Sequence, residues 1–473
     1  MIVPLSSNNF KSDYVRHWAE KYDDPKLPSY HHRKLFDIVP LLEQVADCYT
    51  GISNWINGTK IDMSKAARYL PRNEGEPPSA YQARLLRSRW VGFFSQAING
   101  FAGLLTDYEI TSDSPKSFVD AIADIDCANT SLTTFLSNAD KKGLCDGWCL
   151  VLVEYPVKEN ILSAADEIAN SDRPYLCLIS RRDVINWSIV GNVLEWIVIR
   201  RNVEKPVTEF MSETTEQYWV LRPGSCEVYE IGESGGLGTV ELVQSFELRS
   251  PSGKLMDKIP AIFYPVSTLN PFELLPPLHD LALSNITHYQ EWSDYREVRY
   301  KCNVPVPVLK GLLDAPDRLV IGPNTVVTLP PDGDFFYREP SGKAIEATRQ
   351  AIIDIEKQML QRSLAFFGGN SHMTATEAEL RSAQTVSELT QMARDKESAV
   401  KGIINCWTQW TSEEPNGGIK VNTNLIKSPI SSDTARMFTD LVVGGIMPTD
   451  MYWEIMSSAG IIPKNVELPS VGD

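Results

Sequence analysis

The sequence predicts an α+β chain with more than one core. Three observations lead there: its length, a central stretch of β-branched and aromatic runs, and long helical periodicities on either side of that stretch. At 473 residues the chain exceeds the roughly 250–300 residues at which single cores stop growing. Its 43% hydrophobic and 22% charged residues lie close to globular averages, which argues against disorder. No apolar run approaches the roughly 18–20 residues of a membrane span. The opening "MIVPLSSNNFKSDYVRHWAEKYDD" lacks a basic segment followed by an apolar one, so neither a membrane nor a secretory route is expected.

The elements follow in order. In "LPRNEGEPPSAYQARLLRSRWVGFFSQAINGFAGLL", Pro77 and Pro78 stop what precedes, and Ser79 with Gln82 has capping-box spacing. Leu86, Trp90, Phe94, Ala97, Phe101 and Leu105 then make one stripe, so a single helix of about five turns is expected. From Cys149 to Val266 the texture changes to "CLVLVEYP", "NVLEWIVIRRN", "EQYWVLRP", "CEVYEIGE" and "PAIFYPVS", strands punctuated by turn residues, with "ESGGLG" as a loop tip.

"LHDLALSNITHYQEWSDYREVRYKC" returns to helix, with Leu278, Leu281, Asn285, Tyr289, Trp292 and Arg299 near one face. So narrow an apolar stripe suits side-by-side packing with like neighbours. Asn303 to Arg338 reads as a small β-rich knob whose prolines, Pro305, Pro307, Pro316, Pro323, Pro330 and Pro331, suppress register slip. A second helix follows, with Ser341 as cap and Ile345, Ile352, Ile355, Met359 and Phe366 on one side.

The uncharged stretch Gly368, Gly369, Asn370, Ser371, His372 and Met373 separates this helix from another at Thr376 to Trp410. There Val386, Ala393, Val400 and Trp407 hold one heptad position and Leu389, Ile403 and Trp410 the other; Lys396 breaks the pattern. Two short helices follow in "SSDTARMFTDLVVGGIMPTDMYWEIMSSAGIIP", with Thr449 as a cap and Gly444 and Gly460 as stops.

Motifs of common chemistries are missing from the sequence. It contains no phosphate-cradling G-x-x-x-x-G-K-[ST], no G-x-G-x-x-G after a strand, no H-E-x-x-H and no G-x-S-x-G. The close cysteine pair, Cys145 and Cys149, has no second paired cluster, so buried reduced thiols are expected rather than a metal site. His17, His31, His32, His279, His288 and His372 have no metal-binding spacing, and no metal or cofactor is expected. The net charge of −16 argues against a sequence-reading DNA binder unless Lys and Arg are sharply segregated.

The order of helix, proline-rich β knob, helix, polar loop and long helix resembles the portal proteins of tailed bacteriophages. The stretches that carry the resemblance are "YLPRNEGEPPSAYQARLLRSRW" leading into "GFAGLL", "GLCDGWCLVLVEYP", "RDVINW", "LHDLALSNITHYQEWSDYR" and "SHMTATEAELRSAQTVSELTQMARDKESAV". What the resemblance implies is a non-enzymatic homo-oligomeric ring of about twelve subunits at one vertex of the virion capsid. Such a ring is assembled in the host cytoplasm and nucleates the head. It contacts the major capsid protein, the terminase large subunit and a head-tail adaptor, and it passes double-stranded DNA.

On that mapping residues 1–270 form a wing, 271–302 and 339–366 two stem helices, and 303–338 a clip. Residues 367–375 form a tunnel loop, 376–411 a long wing helix and 412–473 a helical tail or short crown. Gly368 to Met373 then line the DNA channel. Arg296, Arg299, Lys301, Lys357 and Arg362 are candidate channel-facing cations; the alternative for them is ion pairing to Asp294, Glu297 or Glu356 of an adjacent subunit. Lys310 and Arg318 fall on the clip's partner surface. A loop lining such a bore should be compliant and uncharged, because glycine supplies freedom while lysine would pin phosphate through counterion release. Two other readings stay open, another head-tail connector or minor capsid protein, and an α/β enzyme with a dispersed active site.

Overall fold

The computed structural model describes residues 24–52, 65–156, 173–191, 193–231, 240–265, 270–302, 306–310, 331–338, 343–362, 375–422, 432–444 and 448–458. Helices Arg33–Thr50, Lys65–Tyr69, Pro78–Arg87 and Phe93–Leu104 lead to strand β1 (Tyr108–Ile110), then helices Lys116–Asp120 and Leu132–Asp146. Eight strands follow: β2 (Cys149–Glu154), β3 (Tyr175–Ser180), β4 (Val184–Val190), β5 (Val193–Thr208), β6 (Met211–Arg222), β7 (Ser225–Ile231), β8 (Val240–Glu247) and β9 (Ala261–Tyr264). Helix His279–Cys302, strands β10 (Val306–Lys310) and β11 (Asp334–Arg338), and helix Lys343–Gln361 come next. The long helix Ala375–Thr411, strand β12 (Ile419–Val421) and helices Ser432–Val443 and Thr449–Ser458 complete the order. The class is mixed α+β, and the chain divides into two compact units. One comprises Met1–Pro40, Asn99–Leu275 and Asn370–Asp473; the other comprises Leu41–Ile98 and Pro276–Gly369.

In the first unit β2 explains the layering. Its sequence CLVLV is buried at every position, which a strand achieves only when both faces are covered. Cys149, Val151 and Val153 face a core with Leu136, Val400, Ile403, Ile404 and Trp407, supplied by helix Leu132–Asp146 and the long helix. Leu150 and Leu152 face the opposite way, onto Ile197, Ile199, Leu221 and Val228 of the second sheet. Alternation by two thus places a three-stranded sheet, β3-β2-β9, between helices and a five-stranded antiparallel meander, β4 to β8. The long helix comes so close to β9 that a Cβ on Gly402 would lie 3.1 Å from Ile262 Cδ1.

Helix Leu132–Asp146 starts on Ser131, whose hydroxyl accepts from Thr134 N, and stops at Gly147, φ +93°. Arg181, buried where the "RDVINW" stretch begins, donates Nη1 to Asp146 O at 2.7 Å and Nη2 to Leu274 O at 2.7 Å. Burial brings its guanidinium down to about 10, with the Asp146 carboxylate pulling the other way. Cys145 and Cys149 are buried free thiols, as expected.

Lys396, the break in the heptad pattern, is fully buried. Its Nζ donates to Asp140 Oδ2 and Leu105 O, both at 2.7 Å, and Tyr264 OH donates to Asp140 Oδ1 at 2.6 Å. A further departure from the sequence reading lies after the long helix, where β12 pairs antiparallel with β1, Tyr108 opposite Val421. Too short to signal itself by alternation, β12 was read as part of a helical tail.

Candidate functional site

The second unit contains the helix-knob-helix segment singled out by sequence. Its first helix, His279–Cys302, has Leu281, Ala282, Ile286 and Tyr289 buried, and Asn285, His288 and Ser293 buried with them. Each of these residues makes at least one side-chain hydrogen bond, with His288 Nδ1 left without one. Asn285 donates Nδ2 to Val91 O at 2.8 Å and accepts from Phe94 N at 2.9 Å. Ser293 Oγ lies 2.8 Å from Ser88 Oγ. His288 Nε2 lies 3.0 Å from Glu356 Oε1 on helix Lys343–Gln361, and its ring meets Phe93 edge to face. Gln290 Nε2 reaches Tyr69 O at 2.8 Å.

These contacts correct two expectations. The stripe of His279–Cys302 looks narrow because polar residues occupy much of its buried side, so its packing is met largely inside its own chain rather than awaiting neighbours. The single helix expected from Ser79 to Leu105 is two, Pro78–Arg87 and Phe93–Leu104. Pro77 is the N-cap, without a side-chain cap bond, and Ser88 is extended at φ −71°, ψ 139°. The break is held by Asn285, which satisfies Val91 O and Phe94 N in place of a continuing helical ladder; Leu86, placed on the stripe by spacing, is 62% exposed.

The preceding loop, in "YLPRNEGEPPSAYQAR", is braced from inside. Buried Arg84 grips the Glu76 carboxylate with Nε at 3.0 Å and Nη2 at 2.9 Å and donates Nη2 to Pro71 O at 2.8 Å. Tyr81 OH donates to Leu70 O at 2.9 Å. Sequence reasoning missed this pair, although a forked cation eight residues from a carboxylate across two prolines was the available signal.

The two helices and the strand pair β10–β11 form one out-and-back arm. β10 and β11 pair antiparallel, Val306 opposite Arg338 and Lys310 opposite Asp334. His288 and Glu356 lie symmetrically about the same midpoint in sequence as those strand pairs, so the helix contact continues the antiparallel register of the strands. On helix Lys343–Gln361, Ile352 and Met359 are buried, while Glu346, Arg349, Asp354 and Lys357 are exposed or nearly so.

The candidate cations divide. Arg296 donates Nη1 to Arg87 O at 2.6 Å. Arg299, Lys357 and Arg362 are exposed, with Lys357 3.9 Å from Asp354. Lys301 is in the last turn of its helix. Glu297 and Glu356, expected as ion-pair partners for an adjacent subunit, are engaged within their own chain: Glu297 pairs with Arg87 at 2.7 Å and Glu356 meets His288. Burial raises the Asp294 carboxyl, with Arg84 opposing. Lys310 is exposed at the end of β10. Arg318, the cap Ser341 and Gly368 to Met373 lie outside the described residues, as does "ESGGLG".

Among the described residues no helix is long and apolar enough to cross a membrane, and no group of three or more His, Cys, Asp or Glu side chains is placed to hold a metal ion.

Residues 277–411 match the profile of a domain of unknown function, DUF4055. The matched span opens two residues before helix His279–Cys302 and ends on the last residue of helix Ala375–Thr411, so it takes in the arm and the long helix and less than a third of the chain. Among curated proteins, none matches the chain. Among solved structures it is similar to a chain in the neck of an empty gene transfer agent particle computed with C6 symmetry. The identity there is 11% and the TM-score 0.40, over 88% of this chain and 98% of that one. It is also similar to a chain in the virion of a native gene transfer agent particle, at 10% identity and TM-score 0.38, over 88% and 99%. A third likeness is to a chain in the neck of the native particle computed with C12 symmetry, at 10% and 0.38, over 80% and 89%. These are coarse likenesses, and no residue role is carried over from them.

Proposed function

We propose that this chain is a portal subunit of a tailed-phage-like particle. Copies close into a ring of about twelve at one capsid vertex, and double-stranded DNA passes through the ring without any bond being made or broken by it. The observation that carries the reading is the arm. Helix His279–Cys302 and β10 run out, and β11 and helix Lys343–Gln361 run back antiparallel to them, which is the shape of a stave and gives a ring of copies a tube wall. The carrying sequence stretches add the wing on both sides of that arm.

In this reading Gly368 to Met373 face the DNA. Arg299, Lys357 and Arg362 stand as exposed cations available to the channel or to a neighbouring subunit, and Lys310 and Arg318 mark the knob end that meets the terminase large subunit or the adaptor. The wing side meets the major capsid protein. A surface of net charge −16 per copy repels phosphate over a screening length of about 8 Å at physiological salt, which favours sliding over capture.

The test is genome packaging by particles that carry a chain lacking Gly368 to Met373. Rings should form and heads should remain empty or lose their DNA. Deletion that leaves packaging intact, or that prevents subunit assembly outright, overturns the channel role of that segment. Replacing Asn370 and Ser371 with Lys should increase DNA retention at low salt, an effect lost as salt rises.

A further inference from the structure

We infer that the tip of the β5–β6 hairpin docks into an aromatic pocket on the next copy of this chain. The inference rests on the ring reading and adds to it a specific contact.

β5 and β6 pair from Ile197 opposite Leu221 out to Thr208 opposite Met211. β4 accompanies β5 only as far as Ile199, and β7 accompanies β6 only from Gln217. Residues 202–216 therefore form a two-stranded ribbon that runs on for about 20 Å with no third strand among the described residues. Such a ribbon is marginal in water on its own. At its end a two-residue turn, Glu209-Phe210, replaces the Gly and Asn that hairpin turns favour, and Phe210 is 92% exposed, with Val207 and Met211 exposed beside it. A local rule broken at an apolar, protruding position has no compensation within the fold, which points to a partner.

The same unit holds a cavity of about 400 Å³ lined by Trp219, Leu221, Phe246, Trp410, Tyr155 and Tyr175. Its wall carboxylates are spoken for, Glu154 by Arg201 and Glu247 by Arg249 Nε at 2.7 Å. Arg201 also stacks over Trp219 at 4.1 Å. On the loop between the lining residues Arg249 and Pro260, Lys254 and Lys258 are exposed beside one acid, Asp257.

The ribbon has the opposite character. Glu204, Glu209 and Glu213 are exposed; the ribbon's one lysine, Lys205, lies opposite Glu213 in the register and its Nζ is held by Glu230 at 2.7 Å, so the tip keeps an excess of acid. An acidic tip with a bare aromatic thus complements an aromatic pocket whose adjoining loop, between Arg249 and Pro260, carries two exposed lysines. Because tip and pocket are different surfaces of one chain, their contact is head-to-tail, the kind that closes into a ring when the rotation between copies permits.

The experiment places p-benzoylphenylalanine at position 210 of the full chain, irradiates the assembled protein, and maps the adduct by mass spectrometry. The adduct should join two chains and fall on residues that line the pocket or on 249–260. Separately, Phe210→Asp should raise the concentration needed for half-assembly by roughly tenfold or more, and Lys254→Glu with Lys258→Glu should raise it too, with part of the loss restored by Glu209→Lys. A wild-type ring whose adducts fall elsewhere, stay within one chain, or form only with another particle protein overturns the contact and leaves the ring reading standing. A wild-type chain that stays monomeric overturns both.

Discussion

In the unit built around the long helix, the buried polarity of that helix centres on one charge, where Lys396, Asp140 and Tyr264 share a fully buried network, with Arg181 buried apart from it. In the arm unit it is spread along a helix, where Asn285, His288 and Ser293 each meet a different neighbour. Burial pushes the Asp140 carboxyl up and the Lys396 ammonium down, and their mutual attraction opposes both shifts. The first arrangement fixes one point of the helix against two others, and its loss leaves an uncompensated charge. The second fixes a helix through separate hydrogen bonds, neutral for Asn285 and Ser293 and to the Glu356 carboxylate for His288, each worth less than the buried charge pair.

The largest expected effect is at the concentrated site. Lys396→Met leaves Asp140 buried without its cation and should cost about 3–5 kcal/mol, read as a lowered urea midpoint. Adding Asp140→Asn keeps an acceptor for Tyr264 and should restore most of the loss; equal loss in the single and double variants would contradict the account of the pair. Next comes the distributed site. Asn285→Ala removes partners from Val91 O and Phe94 N and should cost about 2–4 kcal/mol, whereas Ser293→Ala should cost only about 1 kcal/mol. An Asn285→Ala variant as stable as the parent would mean that the break at Ser88–Gly92 is held by something else.

The smallest effect is on the ribbon. The bond from Lys205, then that from Gln217, holds the Glu230 carboxyl below its ordinary range. A depressed carboxyl contributes stability that is present above its unfolded value, near 4.3, and lost as pH falls through the lower folded value. Carboxyl NMR should find Glu230 titrating below the exposed glutamates, and Lys205→Ala should move it back toward them. An unchanged midpoint would remove Lys205 as the cause.

Periodicity made the long helix, the arm helices and the β-rich centre legible, because Val400, Ile403 and Trp407 and the run Cys149–Val153 obey their spacing and are buried where spacing puts them. What stayed hidden depends on partners distant in sequence. Lys396 looked like an error in a heptad because Asp140 lies far away along the chain. The stop at Ser88 was invisible because Asn285 holds it from a different helix. β12 had only three residues in which to declare itself. Of the candidate site, the arm's order could be read and Arg299, Lys357 and Arg362 are exposed, yet Arg296, Glu297 and Glu356 had nearer partners that spacing alone does not reveal.

The central claim is that copies of this chain stand side by side as the wall of a tube, and native mass measurement of the purified full chain with electron-microscope images of the same sample tests it most directly. The account predicts a closed ring of about twelve copies with an axial hole. A monomer, or a compact small oligomer with no hole, would contradict it.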